Sequence, residues 1–190
     1  MKKIVVFDVE TKKSFDEVEG RKPELLCISV VGIYRYDTDT YQAFDEHELS
    51  QLNDIFGQSE LIVGFNNKSF DNPALQPYVQ VPLQKFNTVD ILEDIKNALG
   101  HRVSLNSVAM ATLKAQKSGD GLKAIRLYRE GMMNELKSYC LDDVKLTKEV
   151  FDYGVKHGKI HYLSRDGQKI LDVPVNWSYD NDHSDELTLF

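Results

Sequence analysis

The chain has 190 residues, 42% hydrophobic and 28% charged, which suits one globular domain with a sizeable core. Its formal net charge of −7 argues against a protein that coats nucleic acid non-specifically, but not against an enzyme that clusters carboxylates around metal ions. Its apolar runs, such as residues 4–7, 25–33 and 61–65, are too short to span a bilayer, so no membrane association is expected.

Met1-Lys2-Lys3 leads at once into a strand-like run, so no signal peptide is expected. Cys27, in an apolar strand pattern, and Cys140, in a helix pattern, offer neither a disulfide framework nor zinc-ligand spacing. Both read as buried small hydrophobes in a cytoplasmic protein.

Residues 2–9 read as a buried strand, 25–36 as a long second strand and 40–44 as a third. Gly20 and Pro23 mark the turn-rich stretch between the first two. Residues 46–56 carry helical spacing through Leu49, Leu52, Ile55 and Phe56. Residues 61–64 read as a strand, 73–78 as a short helix with proline in its first turn, and 86–89 as another strand. A helix over 91–99 is ended by Gly100, and Ser104 caps one over 105–113. Gly121 precedes a helix reaching about Glu130. Asn134 caps a long helix to about Tyr153, with Gly154 and Gly158 near its close. Residues 159–163 and 169–175 pair as a hairpin around Asp166-Gly167.

Three strands, alternating helix and strand, then helices and a hairpin predict an α/β fold: a mixed sheet flanked by helices, with a C-terminal β-hairpin. Residues 1–177 form this domain, and 178–190 are an acidic, flexible tail.

Asp8 and Glu10 are two apart on the first strand, so they project to one face while Val9 goes to the other. Two ionised carboxylates side by side repel unless a cation lies between them, and hard oxygen ligands favour Mg²⁺ or Mn²⁺ over zinc. Solvated acids on an edge strand are the bland alternative, but the continuous apolar run at 4–7 reads as a central strand. Tyr139 and Asp143 are four apart on the long helix and stack a turn apart, beside an inward row of Leu136, Cys140, Val144 and Phe151. A tyrosine there is ordinary packing, whereas a buried aspartate needs a partner. Asp142 lies about 100° round the helix and reads as solvated.

These motifs resemble those of the DEDD superfamily of 3′–5′ exonucleases, built on the ribonuclease-H-like fold. Phe7-Asp8-Val9-Glu10-Thr11 matches the first exonuclease motif. Gly64-Phe65-Asn66-Asn67-Lys68-Ser69-Phe70-Asp71-Asn72-Pro73 is similar to the second motif of family B polymerase proofreading domains. Tyr139-Cys140-Leu141-Asp142-Asp143 matches the third, and its tyrosine marks the DEDDy branch. Gly100-His101-Arg102-Val103-Ser104-Leu105, Lys117-Ser118-Gly119-Asp120-Gly121-Leu122 and Tyr128-Arg129-Glu130-Gly131 also resemble YprB-like ribonuclease-H-like proteins.

The resemblance implies a 3′–5′ exonuclease acting on single-stranded or frayed DNA or RNA ends with two Mg²⁺ or Mn²⁺ ions. It implies Asp8, Glu10, Asp71 and Asp143 as metal ligands, with Asp71 acting through water and Tyr139 orienting the attacking water. A tyrosine's pKa near 10 makes positioning a sounder role than general base. It also implies that Asn66, with Phe65 or Phe70, contacts or stacks on terminal nucleotides. Ordinary turn chemistry accounts for Asn66-Asn67 equally well.

Thr11, in the first motif, joins these as a substrate-binding candidate. His101, Arg102, Lys114, Lys117, Lys123, Arg126 and Arg129 form a basic strip interrupted by a loop. Arg102, Lys117 and Ser118 are its candidate phosphate contacts, although such a strip is often only a solvated surface. The terminal Glu186-Leu187-Thr188-Leu189-Phe190 resembles the peptide with which bacterial replication and repair proteins dock to the sliding clamp, departing from it at Glu186 where glutamine is usual. That resemblance implies Leu187, Leu189 and Phe190 as partner-binding residues. A non-catalytic nucleic-acid or clamp adaptor on the same fold is the competing expectation.

Overall fold

The computed structural model describes residues 2–115, 121–164 and 166–178. Its centre is a five-stranded sheet in the order β3-β2-β1-β4-β5. The strands are β1 (Ile4–Thr11), β2 (Ile28–Arg35), β3 (Thr40–Asp45), β4 (Leu61–Gly64) and β5 (Thr88–Asp90). β1 runs antiparallel to β2 and parallel to β4; β2–β3 is antiparallel and β4–β5 parallel. Helices α1 (Leu52–Gly57), α2 (Asp71–Leu75), α3 (Ile91–Leu99), α4 (Leu105–Leu113), α5 (Gly121–Arg129) and α6 (Met133–His157) surround it. A separate antiparallel pair, β6 (Lys159–Leu163) and β7 (Ile170–Pro174), follows, and Gly167 takes a left-handed φ of 70° between them. The expected mixed sheet and C-terminal hairpin are both present.

The alternation along β1 builds two cores. Val5, Phe7 and Val9 pack with Phe56 of α1 and with Ala74 and Leu75 of α2. Ile4 and Val6 pack on the other face with Val108 of α4 and Val144, Val150 and Phe151 of α6. Asp8 and Glu10 continue the Ile4–Val6 row, so they project from a central strand onto a covered face. That disposes of the edge-strand alternative.

Helix α6 crosses this face on its row of Leu136, Cys140, Val144 and Phe151, all fully buried. Its closeness depends on Gly32 of β2, which pairs with Asp8. A Cβ on Gly32 would fall 2.9 Å from Cys140 Sγ and 3.0 Å from Val144 Cγ2.

Several boundaries differ from expectation. The second strand begins at Ile28, because Pro23–Leu25 form a 3₁₀ turn and Cys27 adopts a φ of 58°. Cys27 is therefore half-buried and outside the strand, unlike buried Cys140. The helix expected at 73–78 starts earlier, at Asp71, and ends in a 3₁₀ turn, Gln76–Tyr78. The helix expected at 46–56 begins as a 3₁₀ turn, Glu46–Gln51, capped by Asp45. Asn134 does not cap α6, because Gly131 reverses the chain in the left-handed region and Met132 takes the cap position. α6 then runs through Gly154 to a left-handed Gly158.

Position 154, inside the helix, needs glycine because a Cβ there would run into the Trp177 ring. Trp177 also packs beside Phe151 with ring centroids 5.6 Å apart, and its indole N–H donates to Asp94 Oδ2 at 2.7 Å. The last described residues thus close the core. Among the described residues, no helix is long and apolar enough to cross a membrane.

Trp177→Ala should lower unfolding free energy by about 3–5 kcal/mol, the range for truncating a buried aromatic, measured by urea unfolding. Burial holds the Asp94 carboxyl above its ordinary pKa, against the opposing Trp177 hydrogen bond. The folded state then binds this proton more tightly than the unfolded chain, so stability falls as pH rises through the interval above 3.8. Asp94→Asn keeps an acceptor for the indole and should be progressively more stable than wild type as pH rises from about 4 to 7 in thermal melts.

Candidate metal centre

Four carboxylates separated by up to 135 positions in the chain, from Asp8 to Asp143, line one cavity of about 370 Å³. Asp8 and Glu10 come from β1, Asp71 from the first turn of α2, and Asp143 from the middle of α6. Glu10 is 7% exposed, Asp71 3% and Asp143 1%, while Asp8 is half-buried. A β-bulge between Glu10 and Thr11 ends the regular β1–β2 register just past the acids.

Asp71 is held by backbone. The parallel β1–β4 ladder stops at Val6–Val63, so β4 offers no partner further along β1. Asp71 Oδ1 accepts the Val9 N–H at 3.0 Å in its place. This bond fixes α2 to the strand that carries Asp8 and Glu10.

Cys140 sits beneath the group. Its Sγ lies 3.6 Å from the Asp8 carbonyl oxygen and 4.0 Å from Asp8 Oδ2, and ligand atoms of Asp8, Glu10 and Cys140 fall within 4.8 Å of one another. Burial first, then the charges of Asp8, Glu10 and Asp143, pushes its thiol pKa well up. The carboxylates of Asp8, Glu10, Asp71 and Asp143 supply hard oxygen donors around this recess. Hard donors concentrated in a recess fit a hard divalent cation, which offsets their mutual repulsion.

The cavity's other wall is apolar and aromatic, with Phe15, Leu26, Phe65, Phe70, Leu122 and Ile125. Phe15 meets Phe70 edge-on at 5.8 Å. Thr11 also lines the cavity, and its hydroxyl donates to the Lys13 carbonyl at 2.9 Å. Tyr139 is placed one turn before Asp143 as expected, but it is buried with Val30, Ala124, Leu136 and Cys140 and is not part of the cavity wall. Lys123 of α5 sits over its ring at 5.2 Å. Asp142 is exposed, as expected.

Asn66 takes a left-handed φ of 76°, so turn chemistry is part of its role. Its Oδ1 also accepts from Arg102 Nη2 at 2.7 Å, bringing together two residues read separately in the sequence. The basic strip is otherwise dispersed: Arg129 pairs with Glu17, and Lys123 faces Tyr139. Lys117 and Ser118 lie outside the described residues, as do Leu187, Leu189 and Phe190. The comparisons below lend the clamp reading no support.

Sequence reading passed over Asp90. This buried carboxylate accepts from the backbone N–H groups of Asn66 (2.9 Å), Lys68 (3.0 Å) and Glu93 (3.1 Å), shaping the loop between β4 and α2 while capping α3. Asp90 followed three residues later by Glu93 is a cap signature that could have revealed it. The roles of Phe15 and Gly32 carry no comparable local signal.

A mixed sheet whose central strand bears two acids, completed by acids from flanking helices, defines a ribonuclease-H-like α/β protein. The chain belongs to the RNase_H superfamily, whose family model matches residues 5–155. Among solved structures it is similar to the family B DNA polymerase from the hyperthermophilic archaeon Pyrobaculum calidifontis, with 17% identity and a TM-score of 0.59 over 80% of this chain and 24% of that one. It is also similar to Trypanosoma brucei RNase D, with 13% identity and a TM-score of 0.54 over 80% of this chain and 57% of that one. At these identities the likeness is one of fold, and the chain spans about a quarter of the polymerase and little over half of RNase D. No curated protein matches the sequence. Superfamily membership supports a nuclease-type enzyme in general terms.

Asp71→Ala should cost about 1–3 kcal/mol by stranding the buried Val9 N–H, whereas Asp71→Asn keeps an acceptor and should unfold close to wild type. Comparison of the two variants by denaturant titration separates the structural role of Asp71 from its charge.

Proposed function

We propose that the protein is a metal-dependent 3′–5′ exonuclease that hydrolyses the terminal phosphodiester bonds of single-stranded or frayed DNA or RNA. The observation that carries this is the convergence of Asp8, Glu10, Asp71 and Asp143 on one partly enclosed cavity with an aromatic wall. The resemblance of their three motifs to DEDD exonucleases supplies the reaction class and its direction.

Asp8, Glu10, Asp71 and Asp143 would hold two Mg²⁺ or Mn²⁺ ions, which when bound supply an activated water and neutralise the leaving oxygen. The chain's own residues do the positioning. Val9 N–H fixes Asp71 Oδ1, which sets the direction of its carboxylate. Phe65 and Phe70 offer ring faces or edges to the terminal base, and stacking of this kind contributes about 1–3 kcal/mol per base without regard to sequence. Thr11 lines the floor beside them.

Tyr139 orients the attacking water from its place one turn before Asp143, and this requires α5 to shift from over its ring. Lys117 and Ser118 would meet phosphate from the segment between α4 and α5. Residues 1–177 form the catalytic domain in this reading, with the acidic tail outside it.

A time course on a 5′-labelled oligonucleotide with Mg²⁺ or Mn²⁺, run on matched DNA and RNA, should give a ladder shrinking from the 3′ end. Internal cuts from the outset would mark an endonuclease, and absence of cleavage a binding adaptor. Asp8→Ala should lower kcat by about 10³-fold or more, as expected when several kcal/mol of charge stabilisation are lost. Undiminished cleavage by that variant would overturn the site.

A further inference from the structure

The cleft does not end at the acids. Asp8 and Phe65, which line the acid cavity, also line a second cavity of about 460 Å³ that carries Asn66 and Arg102. Arg102, Val103 and Ser104 continue into a third, of about 340 Å³, between α4 and the β6–β7 hairpin. Shared walls make these one groove of three compartments. Each compartment falls in the size range of a small-molecule site, about 300–1,000 Å³.

The electrostatics of the groove differ from those of the chain. The protein has 30 acidic residues and a net charge of −7, yet among the described residues Asp8 is the only acid lining the second compartment and none lines the third. The third presents His101, Arg102, Asn106, Ser107 and Ser164. Asp166, nearby, accepts from Ser164 Oγ and from Gln168 N–H, which keeps it in the hairpin turn. Arg102 stands where the second and third compartments join. Its partner Asn66 is a neutral amide, which orients the guanidinium without neutralising its charge.

The far wall is preformed. Ser107 Oγ donates to the Leu163 carbonyl (3.2 Å) and accepts from the Leu163 N–H (3.0 Å). Thr112 Oγ1 does the same for His161, at 2.9 and 3.0 Å. Two hydroxyls of α4 thus satisfy the β6 edge as a neighbouring strand would, and they fix the hairpin on the helix rather than on the main sheet. A wall held in place before binding lowers the ordering cost of a ligand that enters.

We propose that this groove is a single-strand nucleic-acid subsite that holds the nucleotides adjoining the terminal one. Arg102 meets a backbone phosphate, and the β6–β7 hairpin forms the outer wall that admits one strand. The proposal rests on the nuclease reading of the acid cleft, which it extends by about two nucleotides, one for each compartment beyond the acids.

The test is fluorescence anisotropy of 5′-labelled oligodeoxynucleotides of two, four and eight residues, with the protein in EDTA at low salt. Affinity should rise at least tenfold from two to four nucleotides and little beyond. Arg102→Ala and Met110→Glu, the latter placing a carboxylate in the third compartment, should lose that rise while melting as wild type does by circular dichroism. For Arg102→Ala the slope of log affinity against log salt should be shallower by about 0.7, the value for one phosphate contact on a single strand.

Affinity that is flat with length, or variants that keep the full rise, would overturn the groove even if metal-dependent cleavage is intact. Length-dependent binding abolished by both variants, in a protein that cleaves nothing with Mg²⁺ or Mn²⁺, would uphold the groove and sink the nuclease reading instead.

Discussion

The contact on which the site depends most is the close approach of α6 to β2 at Gly32. A side chain there would collide with Cys140 Sγ at 2.9 Å and Val144 Cγ2 at 3.0 Å. Gly32 pairs with Asp8 across the ladder, so the helix packs tightly on the sheet directly beside the strand's first acid. With the helix seated there, Asp143 reaches the cavity that Asp8 and Glu10 line. A larger residue would force the helix outward, and close-packed interiors absorb such shifts poorly.

The other fixed points serve the same end. Asp71 replaces a missing strand partner by binding Val9 N–H, which makes one carboxylate both a structural clamp and a member of the acidic group. Asp90 gathers three backbone N–H groups and so sets the loop that carries Asn66 and leads to Asp71. Trp177 fills the space at Gly154 and ties the segment after β7 to Asp94 on α3. Four acids that repel one another are thereby held together by packing and hydrogen bonds supplied from elsewhere in the fold.

Much of this was legible from local chemistry. The bounds of α3 and α4 follow directly from Gly100 and Ser104, because glycine in the left-handed region and a serine cap act within one turn. Period two placed Asp8 and Glu10 on one face, and period 3.6 placed Tyr139 one turn from Asp143. What failed depended on turns that periodicity does not register and on contacts between distant segments. Cys27 left the expected strand because the chain turns at Pro23–Leu25, and Asn134 lost the cap to Met132 after Gly131 reversed the chain. Periodicity put Tyr139 one turn from Asp143 but carried no information that α5 would pack against it. The meeting of Asn66 with Arg102 likewise belongs to the tertiary fold, which brings two loops 36 positions apart together.

Anomalous diffraction from crystals soaked in Mn²⁺ tests the central claim most directly, because it reads cation positions without any assay of activity. Two peaks roughly 4 Å apart, among Asp8, Glu10, Asp71 and Asp143, are the predicted result. Peaks confined to other surface acids, with these four carboxylates free of metal at saturating Mn²⁺, would contradict it.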